Sequence, residues 1–161
     1  MFSWKAAIAL MVDVRASLII SLLLLGASAP AYAAGLDLAP YRGKVVYLDF
    51  WASWCTPCHL SFPWMNDIQS SYGADGLVIL AVNLDRDRAK ADDFLAASGG
   101  ELKILYDPKG DIAKQFNFKD MPTAILIGRD GKTHAVHSGF EISKENAYLA
   151  DVVSLLHQKA P

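Results

Sequence analysis

The chain has 161 residues, room for one ordinary domain and too few for two large ones. Apolar residues make up 53% of it and Gly and Pro are modest, which is a globular composition without a disordered tract. The 15 basic and 17 acidic side chains are interspersed, for a formal charge of −2. No Lys/Arg block exists to track a phosphate backbone, which excludes nucleic acid as the expected partner.

Lys5 and Arg15 precede an apolar run, ASLIISLLLLGASA at 16–29. Ala31-Tyr32-Ala33 then supplies the small-x-small pattern of a signal-peptidase site. Residues 1–33 are therefore expected to be a signal peptide or an uncleaved N-terminal membrane anchor. Ser17, Ser21, Gly26, Ser28 and Pro30 make the run marginal for spanning about 30 Å of hydrocarbon. A start at Met11 would give a more compact signal than Met1. In either case the domain at 34–161 is expected to be exported, to a bacterial periplasm. The chain has two cysteines, Cys55 and Cys58. A bridge between residues three apart closes too short a loop to stabilise much, so the pair is expected to serve chemistry.

KVVYLDFWA at 44–52 is a near-continuous apolar run, the pattern of a strand buried on both faces. Cys58, Phe62, Met65, Ile68 or Gln69, and Tyr72 follow at three- and four-residue spacing. They predict an amphipathic helix with its buried stripe beginning at Cys58 and a kink at Pro63. LVILAVNLD at 77–85 reads as a second strand, and 86–98 as a largely solvated helix docked by Phe94 and Leu95. LKILYD at 102–107 is a third strand. Asp107-Pro108 is a helix-start signal for a short helix over 109–116. TAILIG and KTHAVHSGF form a hairpin around Asp130-Gly131. Ser143 is expected to cap a last helix with Leu149, Val152, Val153 and Leu156 on one face. Strands alternating with helices, then a hairpin and a closing helix, predict a single α/β domain with a mixed sheet.

WASWCTPCH at 51–59 permits two chemistries. Cys55 to Cys58 is a redox C-x-x-C, and Cys55 to His59 is also the C-x-x-C-H that attaches a c-type haem. In the thiol reading, only a thiolate attacks a disulfide. A cysteine just ahead of a helix meets unpaired N–H groups and the positive end of the dipole, which favour the anion. Cys55 has that place, and Cys58, one turn on, lies on the buried stripe. Cys55 is thus the expected nucleophile and Cys58 the resolving thiol. Asp49, a carboxylate in an apolar strand, is the candidate proton acceptor for Cys58; the competing reading is an Asp at a strand edge, bonded to backbone or water. Trp54 is expected beside the nucleophile as an apolar surface for substrate, with a core position as the alternative; Trp51 fits the core.

DFWASWCTPC resembles the active-site strand and turn of the thioredoxin family. Pro63, five residues after the second cysteine, stands where that family has a kinking helix proline. MPTAILI at 121–127 is similar to its cis-proline segment. The resemblance implies a thioredoxin fold, with Pro122 as the cis-proline and the Met121 backbone bonding an incoming peptide. Trp54, Thr56, Pro57, Met121 and Pro122 would then form the substrate surface. The roughly sixty residues between motif and proline carry an extra helix and strand at 86–106. With AVNLDRDR and LYDPKG, this insertion is similar to the TlpA/ResA branch of exported thiol–disulfide oxidoreductases. Ser61 replaces a glutamate found in some of that branch. Asp120-Met121-Pro122-Thr123 replaces the Gly-Ala-Pro-Glu of reductases in cytochrome c biogenesis. Ala52, three before Cys55, departs from the peroxidatic Thr-x-x-Cys of peroxiredoxins, so peroxide chemistry is not expected.

The resemblance implies a monomer that reduces protein or peptide disulfides through a Cys55–Cys58 cycle, needs no other cofactor and is recharged by a membrane electron donor. Thr-Pro between the cysteines resembles the reductant type, and no Lys or Arg stands nearby in sequence to lower the thiolate pKa further. Two other readings stay open. A c-type haem would take His59 and one of Met65, Met121, His134 or His137 as axial ligands. A client-binding module would use the same surface without turnover. Metal is not expected: the motif offers at most three neighbouring ligands, and His134 and His137 point to opposite faces of a strand. The acidic DRDRAKADD at 85–93 reads as a solvated face without a calcium loop's glycine and terminal glutamate.

Overall fold

The computed structural model describes residues 35–159. The expected signal peptide or anchor at 1–33 lies outside the described residues. No helix among the described residues is long and apolar enough to cross a membrane.

Five strands form one sheet: β1 (Val45–Trp51), β2 (Leu77–Asn83), β3 (Lys103–Tyr106), β4 (Thr123–Ile127) and β5 (Thr133–Ser138). Their spatial order is β3-β2-β1-β4-β5. β1 runs parallel to β2 and antiparallel to β4, so the sheet is mixed, as its sequence pattern predicts. Every residue of β1 is buried, which is why its sequence shows no polar alternation. Among the described residues three α-helices connect and close the sheet: α1 (Thr56–Tyr72), α2 (Arg88–Ser98) and α3 (Glu145–Leu156).

The two faces of β1 feed two cores. Val45, Tyr47 and Trp51 pack with the three helices, through residues such as Phe62, Met65, Ala91, Val152 and Leu155. Val46, Leu48 and Phe50 face the other side, covered by Leu36, Leu38 and Tyr41 and by Ile112, Phe116 and Phe118 from loops and 3-10 turns. Phe118 lies 4.5 Å from the Phe50 ring, centroid to centroid. Fully burying each of these large apolar side chains stabilises the fold by about 1.5–3 kcal/mol.

Local signals set most element ends. The Asp87 side chain accepts from the Ala89 N–H at 3.1 Å and caps α2. At the β4–β5 turn Gly131 has φ +76°, and its N–H donates to the Gly128 carbonyl at 2.9 Å. α1 runs through Pro63, which removes one backbone donor without ending the helix. Its buried set is wider than the expected stripe, adding Ser61 and Trp64.

Two expected caps are corrected. No α-helix forms over 109–116; a 3-10 turn spans only Ala113–Gln115. The Asp107 carboxylate instead accepts from the Asp111 N–H at 2.7 Å and the Ala113 N–H at 2.9 Å, closing a loop rather than starting a helix. Ser143 does not cap α3. It lies inside a 3-10 turn, Ile142–Lys144, that leads into the helix, and the cap position falls to Lys144. The buried face of α3 uses Tyr148, Val152, Leu155 and Leu156, with Leu149 and Val153 only half-buried.

Arg129, just after β4, ties together two loops and the end of α3. Its guanidinium donates to the carbonyls of Gly43 at 2.7 Å, Asp75 at 2.8 Å and Leu156 at 3.1 Å. Truncating it strands three acceptors, so Arg129→Ala is expected to lower stability by about 2 kcal/mol in denaturant unfolding, with Arg129→Lys recovering only part.

Candidate active site

The register of β1 determines what surrounds the cysteines. Trp51 at its end pairs with Asn83 at the end of parallel β2, and Phe50 pairs with Thr123 at the start of antiparallel β4. The loops at 84–87 and 119–122 therefore converge on the turn at 52–55, although they lie more than thirty and sixty residues away in sequence.

Cys55 is the N-cap of α1, with extended backbone and no side-chain cap hydrogen bond, and Pro57 follows in the first turn. The usual Ser or Asp cap would occupy the free N–H groups of that turn. A cysteine there leaves them, and the helix dipole, directed at its sulfur. Cys55 and Cys58 form a disulfide with Cα atoms 5.3 Å apart. Cys58 is fully buried and Cys55 is 4% exposed. The difference matters, because Cys55 lines a surface depression of about 430 Å³ and Cys58 does not.

That depression is formed by Trp54, Cys55, Thr56, Pro57, Lys119, Asp120 and Met121. Trp54 is 67% exposed, the expected substrate-side position, while Trp51 is fully buried in the core. The Met121–Pro122 bond is cis. Pro122 is buried and its carbonyl accepts from Gly139 N–H at 2.7 Å, while Thr123 Oγ1 donates to the Asp120 carbonyl at 2.6 Å. The Met121 backbone between them has no partner among the described residues. An unpaired backbone edge beside a reactive sulfur suits an extended peptide. Lys119 corrects the expectation that no cation stands near the dithiol: it is remote in sequence, but β4 delivers it to the same depression, with Asp120 beside it.

Asp49 sits in the middle of β1, on the face that carries Tyr47 and Trp51. Its lateral neighbours are Ala81 on β2 and Ala124 on β4. The strand is central, so the edge reading of this residue fails. Asp49 is 2% exposed and its Oδ2 has no hydrogen-bond partner among the described residues. Burial holds its proton on well above the usual carboxylate range.

The clamp on the motif turn was not legible in the sequence. The buried Asp85 carboxylate accepts from Ser53 N–H at 2.8 Å, Ser53 Oγ–H at 2.9 Å and the Asn83 amide at 2.7 Å. Asp85 was expected on a solvated acidic face; the end of β2 turns it inward instead. His59 adds a third tie, its Nε2–H donating to the Ser53 carbonyl at 2.8 Å while its ring meets Phe94 edge-on. The only sequence hint was a Ser-Asp pair flanking two strand ends. His134 and His137 are committed to different carboxylates, Asp130 and Asp151. A haem on Cys55 and Cys58 would have to part Trp51 from Phe62, whose buried rings lie 4.7 Å apart, and take His59 from Ser53. Among the described residues no three His, Cys, Asp or Glu side chains gather as a metal site.

A mixed five-stranded sheet, a C-x-x-C at a helix start and an opposed cis-proline define the thioredoxin fold with a dithiol site. The chain matches the Redoxin family over residues 27–152 and belongs to it. It is 33% identical over 102 residues to the thiol-disulfide oxidoreductase ResA of Geobacillus kaustophilus, covering 63% of this chain and 59% of that one. The chain thus spans about three fifths of the length of that curated relative. Among solved structures it resembles a protein named as thiol:disulfide interchange protein DsbE from Chlorobium tepidum, at 44% identity and a TM-score of 0.73, over 75% of this chain and 86% of that one. It also resembles the exposed lipoprotein thioredoxin Etrx1 of Streptococcus pneumoniae, at 33% identity and a TM-score of 0.60, over 73% of this chain and 90% of that one.

Two outcomes are expected. The folded protein keeps the Asp49 proton above the unfolded carboxylate value of about 4, so it binds more protons than the unfolded chain. Stability therefore falls as pH rises from about 4 through the folded value, and Asp49→Asn should flatten that slope in unfolding curves taken across pH. Asp85→Ala strands the Ser53 and Asn83 donors and should cost about 2 kcal/mol, with faster alkylation of reduced Cys58 as the turn loosens.

Proposed function

We propose that the chain is an exported thiol–disulfide oxidoreductase that reduces protein or peptide disulfides. The observation that carries this reading is the graded access of the two sulfurs: Cys55 lines a surface depression beside the Met121 backbone, and Cys58 is fully buried. The 1–33 segment serves as signal peptide or anchor, which puts the domain at 34–161 in the periplasm, where it acts as a monomer.

In the reduced protein the Cys55 thiolate, favoured by the α1 N-terminus and by Lys119, attacks one sulfur of a substrate disulfide. The Cys55–substrate bond forms, and the substrate's other sulfur leaves as a thiolate that takes a proton from water. Trp54 and Pro57 give apolar contact, and the Met121 N–H and C=O pair with the substrate backbone. Cys58 then passes its proton toward the ionised form of Asp49 and attacks Cys55 Sγ. The Cys55–substrate bond breaks as the internal disulfide forms, and the second substrate sulfur leaves as a thiolate that takes a proton from water. Two electrons and two protons have moved to the substrate, and a membrane electron donor restores the dithiol. The clamp of Asp85 and His59 on Ser53 holds the turn through both attacks.

Asp120 beside Lys119 offsets part of its charge, which supports a reductant rather than an oxidant. Equilibration with glutathione is expected to give a potential nearer ~−270 mV than ~−120 mV. Cys58→Ala should accumulate mixed disulfides through Cys55 in periplasmic extracts, resolved by diagonal electrophoresis. A variant that traps nothing while Cys55 remains alkylatable would mark a non-catalytic binding module.

A further inference from the structure

A carboxyl group buried in the sheet can act as a proton acceptor in every cycle only if its proton has a way out. Asp49 has no such way along its own strand, where every residue is buried. The sheet register supplies one sideways. Asp49 pairs with Ala124 on β4, and Ala124 pairs with His137 on β5. Side chains opposite one another across a sheet share a face, so the three form one row. In antiparallel ladders a residue with a hydrogen-bonded partner on one side has a non-hydrogen-bonded partner on the other. The two Cα steps are then about 5.5 and 4.5 Å, and Asp49 and His137 lie about 10 Å apart across a single methyl group.

The ends of this row are both polar and both unsatisfied. Asp49 Oδ2 and His137 Nδ1 are buried without a partner among the described residues. His137 Nε2 lies 2.9 Å from Asp151 Oδ2 on α3; a carboxylate can only accept there, so the neutral ring carries its proton on Nε2 and leaves a lone pair on Nδ1. The His137 side chain is 11% exposed and that of Asp151 is 54% exposed, so the row climbs from core to solvent. The groups facing His137 are Tyr47 and Asp49 from β1 and Tyr148 and Asp151 from α3. The rings of Tyr47 and Tyr148 lie 6.2 and 4.7 Å from it and hold it in place. Burial, and then the charge of Asp49, push the Tyr47 hydroxyl well above its ordinary range, which supports the closeness of Asp49 to this cluster.

We propose that His137 and Asp151 relay the Asp49 proton to solvent, through water seated over Ala124. One water with a hydrogen bond of about 2.8 Å on each side spans about 5.6 Å, so one or two bridge the two unsatisfied atoms once the side chains lean together. The relay deepens the proposed function and rests on it. Asp49 gives its proton through water to His137 Nδ1, and His137 gives the Nε2 proton to Asp151 or to the water around it. Asp49, now ionised, accepts the Cys58 proton, and Cys58 attacks Cys55 Sγ. His137 touches neither sulfur; it acts through Asp49.

The test uses the reduced full chain with an aromatic disulfide, Ellman's reagent. Cys55 releases the first coloured thiol and Cys58 the second, so the second phase reads the resolution step. His137→Ala is expected to slow that phase about tenfold at neutral pH, within the range of a lost proton-transfer partner, and to raise its solvent deuterium isotope effect. Added imidazole should restore the rate in His137→Ala and leave the wild type unchanged. Asp151→Asn, half-exposed on α3, should slow the same phase about threefold. In an Asp49→Asn background, which is itself slow, His137→Ala should add nothing. An unchanged second phase in His137→Ala, alongside a slow Asp49→Asn, overturns the relay and leaves the proposed function standing. Equal slowing by His137→Ala in both backgrounds, without imidazole rescue, makes its role purely structural and also overturns the relay. A normal rate in Asp49→Asn removes the proton role of Asp49 and the relay with it. Failure of Cys58→Ala to trap substrate would instead overturn the proposed function.

Discussion

The pairing of β1 on both of its edges is the constraint on which the site depends. β1 is the only strand of this sheet with a parallel neighbour on one side and an antiparallel one on the other. Its carboxyl end therefore meets the end of β2 and the beginning of β4 together. The first brings Asp85 to Ser53, and the second brings Met121 and the cis-proline to the cysteines. Moving the β4 register by one residue would turn Thr123 and Ala124 to opposite faces and take the peptide-binding corner away from Cys55. The same pairing places alanines on both sides of Asp49, which leaves the carboxyl unsatisfied but not crushed.

Stability and chemistry draw on the same residues in opposite ways. Trp51, Phe62 and Phe94 pack ring on ring beneath the motif and make the turn rigid. A rigid platform lets one sulfur face outward while the other stays sealed. Against that, an unpaired buried carboxyl and an uncapped helix start are local costs which a core alone would not retain. The helix start carries Cys55 itself, and the surrounding aromatic packing and the Asp85 clamp offset these costs. Departures from local rules gather where the chemistry is, as expected when function is imposed on a well-packed fold.

Several features are readable in the sequence alone. A run such as KVVYLDFWA, short and rich in Val, Tyr, Phe and Trp, has the pattern of a strand covered on both faces, and β1 is buried at every position. The charge of Asp49 inside it announces itself for the same reason. Other signals were ambiguous in kind. Asp107-Pro108 starts a helix or a turn equally well, because one carboxylate can bond N–H groups on either path; here they belong to Asp111 and Ala113. Ser143 has the chemistry of a cap, but the tight turn at 142–144 consumed its position. Asp85 stands among charges in the sequence, and a charged neighbourhood looks solvated until a strand end turns one member inward.

The order of residues along the chain was enough to place the five strands and the helices α1, α2 and α3, though not the turn at 109–116, and to set Cys55 and Cys58 one turn apart and Asp49 in a buried run. These are local properties: spacing, periodicity and the cost of a charge in an apolar run. Only the folded sheet decided that Lys119 shares a depression with Cys55, that Asp85 anchors the motif turn, and that His137 shares a row with Asp49. Those meetings are made by backbone hydrogen bonds between strands far apart in sequence. A strand's own residues tell which face each side chain takes, but not which neighbour will lie beside it.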